Sequence, residues 1–308
     1  MDNPIYSIIT ATYNREVRLE RAYQSVVSLT SRNFEWLVID DGSSDGTKSQ
    51  VEKWRGEADF PIHYVYQENA GKHSALNRAV QMAKGTYSVI LDSDDELLSD
   101  TLEKFAKMWA QVPPESMALV SSVVGNCQDQ NGELIGTVFP QSPLVSDSLE
   151  VRLKYKVKGD KMSSIKLEIW RQFPFPTFEQ KGSLYEDVVW FEMSKHYKEV
   201  YFNEILLRVH LEEASITRQA IASKQAFAGE VRERMFINNQ LRGFKWDPMY
   251  YFRCAANYRR CGMLEGRSFA ESLNKIEPAF GKVLVVLGEI PARIKYWSDI
   301  RKERHQAK

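Results

Sequence analysis

The residues in this chain with the most chemistry in them crowd the end of one apolar run. Tyr87-Ser88-Val89-Ile90-Leu91 reads as a buried strand and leads directly into Asp92-Ser93-Asp94-Asp95-Glu96. Six acidic residues lie between Asp92 and Glu103, with no Lys or Arg before Lys104. Carboxylates this close repel one another unless a cation or a proton relieves them. Hard divalent cations such as Mg2+ or Mn2+ take oxygen ligands of this kind, and Mg2+ shares them with substrate phosphates. The competing reading is a polar loop whose Asp or Ser side chains cap a helix starting near Ser99.

The elements that must position these acids alternate through the first 125 residues. Strands are expected at Ile5 to Thr10, Trp36 to Asp40, Ile62 to Tyr66 and Tyr87 to Leu91. Between them, Leu19, Ala22, Tyr23, Val26 and Leu29, then Val51 and Trp54, then Leu76, Ala79, Val80 and Ala83, follow helical spacing. Strand–helix alternation predicts an α/β fold, a mostly parallel central sheet flanked by helices. Ligands gather at the carboxyl ends of strands in such sheets. The polar segments after the strands (Thr10 to Arg15, Asp40 to Ser44, Asn69 to Lys72 and Asp92 to Asp95) should therefore meet on one edge.

Later segments are less regular. Leu119 to Val124 and Leu134 to Phe139, joined through Asn131-Gly132, predict a hairpin. Helices are expected near 148–156, 163–172 and Glu186 to Tyr197, and a strand from Val200 to Val209. Beyond about residue 217 the pattern is helical, with breaks at Gly243, Pro248, Gly262, Gly281 and Pro291. This suggests a domain over 1–212, in two halves at 1–125 and 126–212, followed by a helical extension over 213–308.

The totals exclude several classes. The 308 residues carry 41 basic and 41 acidic side chains, a formal net charge of zero. General nucleic-acid binders show a basic excess instead. Cys127, Cys254 and Cys261 are widely spaced and form no CxxC, as expected of reduced thiols in a cytoplasmic protein. No signal-peptide pattern opens the chain, and no apolar run is long enough to span a bilayer.

Five motifs, SIITATYNR at 7–15, LVIDDGSSDGT at 37–47, NAGKHSALNRAV at 69–80, LDSDD at 91–95 and YED at 185–187, follow the order found in family 2 glycosyltransferases. Over residues 5 to about 210 the chain resembles the inverting, nucleotide-sugar-dependent members of that family, which have the GT-A fold. The resemblance implies transfer of a single sugar from a nucleotide diphosphate donor, most simply a UDP-sugar, to a glycan or lipid-linked saccharide. It implies work in surface-polysaccharide or lipid-linked oligosaccharide assembly, with Mn2+ or Mg2+ as cofactor.

Residue by residue, the resemblance makes Asp94 the direct metal ligand. Asp92 is the first acid of the motif, at the ribose or a metal-bound water, with Ser93 between them. Asp95 is either an outer partner or a helix cap. Asp41, or its neighbour Asp40, recognises the base, although the same residues suit a plain turn. Thr10, Ala11, Tyr13 and Arg15 match the segment around base and ribose. Lys72 approaches the diphosphate. The family's Ala-Arg-Asn reads Ala75-Leu76-Asn77 here, so Lys72 or Arg78 stands in for the missing Arg. Asp187, with Glu186 beside it, matches the base that deprotonates the acceptor hydroxyl; acids at a helix start also suit the helix dipole. His210 is a further candidate ligand to the metal. Gly159-Asp160-Lys161 could touch the sugar or acceptor, and Trp170, Trp190 or Phe191 could stack on sugar faces.

From Phe280 onward, apolar residues recur every three or four positions, and 282–308 holds seven Lys/Arg against three Asp/Glu. Such a helix suits packing against residues 217–276 or a twin subunit in a homodimer, or peripheral contact with a membrane. Two other functions fit parts of the pattern. A nucleotidyltransferase would need a glycine- and basic-rich triphosphate loop, which ATYNREVRL is not. An inactive scaffold would have lost the acid at 94 or 187. Processive synthases of the family generally carry membrane-spanning helices.

Overall fold

Four apolar runs, each ending in polar residues, become four parallel strands. The computed structural model describes residues 5–177, 185–211 and 226–306. The chain divides into two units, Met1–Lys181 with Met193–Leu211, and Gly182–Glu192 with Glu212–Lys308.

The first unit opens with β1 (Tyr6–Thr12), α1 (Glu16–Val27), β2 (Phe34–Asp40), α2 (Thr47–Glu57), β3 (Ile62–Tyr66), α3 (Lys72–Met82) and β4 (Tyr87–Ile90). It continues through β5 (Glu96–Leu97), α4 (Thr101–Ala110), β6 (Val120–Asp129), β7 (Leu144–Ser146), α5 (Ser148–Leu153), β8 (Lys161–Lys166) and α6 (Leu167–Trp170). β2 is buried at every residue, as a strand covered on both faces must be. α1 turns Leu19, Ala22, Tyr23 and Val26 inward, and Tyr23 stacks on Trp54 of α2 at 4.2 Å.

The nine strands form one sheet in the order β3-β2-β1-β4-β8-β6-β9-β5, where β9 is Lys198–Val209 and β7 pairs with β9. β3, β2, β1 and β4 are mutually parallel, with Thr12 level with Asp40, Asp40 with Tyr66, and Ile9 with Ile90. Their carboxyl ends are therefore nearly flush, and the loops that follow them share one edge.

Three sequence expectations fail. Segment 163–172 is the end of strand β8 followed by a single helical turn, because its residues 163–166 pair with β4 and β6. Leu134 to Phe139 forms no strand: Leu134 makes one isolated bridge to Gln128, and β6 runs on to Asp129 against β8 and β9.

The third correction lies in the second unit, which holds the start of α7 (Asp187–Met193), then α8 (Ala226–Asn239), α9 (Pro248–Leu264), α10 (Phe269–Asn274) and α11 (Ala279–Gln306). Pro248 starts α9 behind an Asp247 cap. Gly262, Gly281 and Pro291, however, lie within helices. A Cβ on Gly281 would come within 2.8 Å of Ile237, and one on Gly288 within 2.9 Å of the Ala256 backbone. These glycines let helices approach closely, and that packing outweighs their low helix propensity. No described helix is long and apolar enough to cross a membrane.

Candidate active site

The carboxyl-end edge is built from two kinds of aspartate. Asp40 and Asp41 are deeply buried. Asp40 Oδ1 accepts from the Ser43 amide at 2.8 Å and Oδ2 from the Tyr64 hydroxyl at 2.6 Å. Asp41 Oδ1 accepts from Gln67 Nε2 at 2.7 Å and the Ala70 amide at 2.9 Å, and Oδ2 from the Gly71 amide at 2.8 Å. These bonds tie the loop Asn69–Lys72 to the end of β2. Gly71 has φ of 90°, and a Cβ on Gly42, at φ 92°, would lie 2.9 Å from the Asn69 nitrogen. Side chains rarely adopt such a conformation, so glycine fits both turns. The tie fixes the start of α3 and thereby Lys72.

Asp92 and Asp94 are the second kind, half-exposed and each held by a cation from another element. Lys72 Nζ lies 2.5 Å from Asp92 Oδ1, and Arg15 lies 3.4 Å from Asp94 Oδ2. Arg21 of α1 donates to the Asp94 carbonyl at 2.8 Å. Asp95 turns inward, where its Oδ1 accepts from the His210 amide at 3.1 Å. Burial and the neighbouring Asp92 charge push its carboxyl up to about 7. Glu96 completes the edge: Arg208 lies 2.8 Å from it and His210 Nε2 2.9 Å.

The remaining candidates are distributed as follows. Thr10 is fully buried, and its hydroxyl accepts from Trp36 Nε1 at 3.0 Å. Ala11 lies level with Ile39 near the strand ends. Tyr13 is exposed, and Ser93 is buried between the two acids. Asn77 spends both ends of its amide on the Phe175 backbone, at 2.9 and 2.8 Å. Arg78 donates to the Tyr66 carbonyl. His210 turns its ring to Glu96. Lys161 donates to the Thr137 and Lys158 carbonyls, Asp160 is exposed, and Trp170 is core. The helix after the acids starts at Thr101, and the Asp100 side chain pairs with Lys104 at 3.0 Å and makes no capping bond to the helix amides.

Asp187 and Glu186 belong to the second unit. Asp187 opens α7, and both its oxygens accept from Arg232 Nε, at 3.0 and 2.9 Å, with a third contact from Nη2 at 2.6 Å. Arg232 also reaches Glu233 and the Tyr250 hydroxyl. Phe191 packs edge-on against Phe236 in the core, and Trp190 is half-buried.

Sequence reasoning missed Glu96, Arg21, Arg208 and Arg232 as partners, since no local pattern marks a residue that will pair across the fold. It also missed Thr12 and His73. Both are buried, and Thr12 Oγ1 and His73 Nδ1 have no hydrogen-bond partner among the described residues. Buried orphans of this kind point to a further partner, such as water or a ligand.

Among the described residues no three His, Cys, Asp or Glu side chains gather as a metal cluster. The donor set still fits Mg2+ or Mn2+, which bind through one or two carboxylates and complete their shell with waters and substrate phosphates. Asp92 and Asp94 offer that pair. His210 meets Glu96 through Nε2, at 2.9 Å.

The sequence profile described as Glycosyl transferase family 2 matches residues 7–166, just over half the chain. The chain belongs to that family. It is 38% identical over 102 residues to a Bacillus subtilis protein, the putative teichuronic acid biosynthesis glycosyltransferase TuaG, a match covering 33% of this chain and 40% of that one. It is 28% identical over 264 residues to the GalNAc(5)-diNAcBac-PP-undecaprenol beta-1,3-glucosyltransferase of Campylobacter jejuni, covering 83% and 81%. The fold matches Staphylococcus aureus TarS 1–349, solved in complex with UDP-GlcNAc, at TM-score 0.64 and 15% identity over 98% of this chain and 92% of that one. The GT-A architecture expected from the motifs is the one the chain has.

Proposed function

We propose that this chain is an inverting glycosyltransferase that moves one sugar from a nucleoside diphosphate sugar, preferentially a UDP-sugar, to a hydroxyl of a glycan or lipid-linked saccharide. One observation carries the reading: two half-exposed aspartates on the carboxyl-end edge, each neutralised by a cation that a phosphate could take over. Asp94 and Asp92 would hold a divalent cation, which as a Lewis acid neutralises charge on the departing diphosphate. Lys72 and Arg15 then become available to phosphate oxygens, where a fixed cation adds to leaving-group stabilisation. Asp41 holds the loop that carries Lys72, and its remaining acceptor capacity suits a base N–H. The TarS complex favours a uridine donor, and the Campylobacter relative a polyprenyl-linked acceptor. Asp187 is the base in this reading. Inversion needs one carboxylate to take the acceptor proton as the hydroxyl attacks, and Asp187 must loosen its Arg232 pair to do so.

Thermal-shift measurement with a panel of nucleotide sugars plus Mn2+ or Mg2+ tests this, because stabilisation follows binding to the folded state. One donor should stand out, and Asp94→Ala should remove its metal-dependent part. Stabilisation by none of them, or pyrophosphate release from a nucleoside triphosphate, overturns the proposal.

A further inference from the structure

We propose that the outer face of α11 docks on an anionic phospholipid surface. The helix packs one side against α9, with Leu284, Val285, Gly288 and Ala292 buried. Its other side carries Phe280, Val283, Leu287, Ile290, Ile294 and Trp297, all exposed, with Ile290 at 72% and Ile294 at 68%. A soluble helix seldom leaves such a run uncovered. At 3.6 residues per turn these positions share one stripe about 100° wide.

Charge selects the occupant. Between Pro278 and Lys302 the acids are Glu289 and Asp299 alone. Both are engaged, Glu289 by Arg259 at 2.8 Å and Arg293 at 2.6 Å, and Asp299 by Arg260. The cations Lys282, Arg293, Lys295, Arg301 and Lys302 flank or continue the stripe. Arg301 and Lys302 line a recess with Ile294, Trp297 and Ser298, so two cations stand beside the indole. An apolar stripe bordered by cations and ending in Trp suits a headgroup layer, with the cationic stems lying along the apolar boundary. A second copy suits it less. An antiparallel pair centred on the stripe sets Lys282 opposite Lys295, and a parallel pair sets each cation beside its own counterpart. This surface stands apart from the transfer reading, and each can fail without the other.

Co-sedimentation of the full chain with phosphatidylcholine vesicles, with and without phosphatidylglycerol, tests the proposal. Binding should require the anionic lipid and weaken as salt is raised. Ile290→Asp with Ile294→Asp, and separately Lys295→Glu with Arg301→Glu, should each reduce it roughly tenfold or more. Nucleotide-sugar stabilisation should be unchanged in both. If a variant does not fold, the wild-type lipid and salt dependence decides. Equal binding to neutral vesicles, binding to neither, or a concentration-dependent dimer abolished by Ile290→Asp overturns the proposal.

Discussion

Ion pairs of the same chemistry sit at two depths in the two units. On the strand-end edge of the first, Lys72–Asp92 and Arg15–Asp94 are partly open to water. In the second, Arg259 is 4% exposed against Glu289, and Glu230, at 1%, lies 2.6 Å from Arg267 and 3.5 Å from Arg234. Pairs near water contribute about 0–1 kcal/mol, so they can exchange partners at small cost. Removing one partner from a buried pair costs about 3–5 kcal/mol, because the other charge is stranded. The shallow pairs are therefore suited to handing charges to a ligand, and the deep ones to holding helices together.

Asp187–Arg232 tests this division hardest, since it is mostly buried yet assigned to chemistry. Asp187→Asn should lower the transfer rate by about 10²–10⁴-fold while nucleotide-sugar binding persists; steady-state rates alongside calorimetric titration check this. Retained activity would class the pair with the scaffold. Next, Glu289→Ala should lower unfolding free energy by about 3–5 kcal/mol in urea titrations, as Arg259 loses its carboxylate. By contrast, Lys72→Met should leave stability within about 1 kcal/mol. It should weaken UDP–Mn2+ binding by roughly tenfold, the loss of one charge-assisted contact. A large stability loss there would erase the contrast between depths.

The smallest effect concerns pH. Burial holds the His73 imidazole below its ordinary pKa. Between the folded value and the unfolded value near 6.5 the unfolded chain binds more protons, so stability falls as pH drops through that window. Replacing His73 with Leu should flatten this part of the profile in pH-dependent thermal melts.

Much of the first unit was legible. The four leading strands were found to within one or two residues at each end, because each is a short apolar or β-branched run and their ends are punctuated by Asp, Gly and Asn. β8 was not, because Lys161–Lys166 carries Ser at two of six positions and becomes a strand only by pairing with β4 and β6. Asn77 matched a motif position by type, yet its amide clamps Phe175, almost a hundred residues away. Gly281 and Pro291 read as helix breakers, and the packing around α11 overrode them.

The order and spacing of the motifs fixed the family, the parallel sheet and the edge on which the acids collect, since each depends on local periodicity and residue type. What each carboxylate holds was settled only in three dimensions. Asp41 took a loop, Asp92 a lysine, Asp94 an arginine from the loop after β1, and Asp187 an arginine from α8. A charge is stabilised by whatever the fold brings within a few ångströms of it, and chain separation carries no information about that distance.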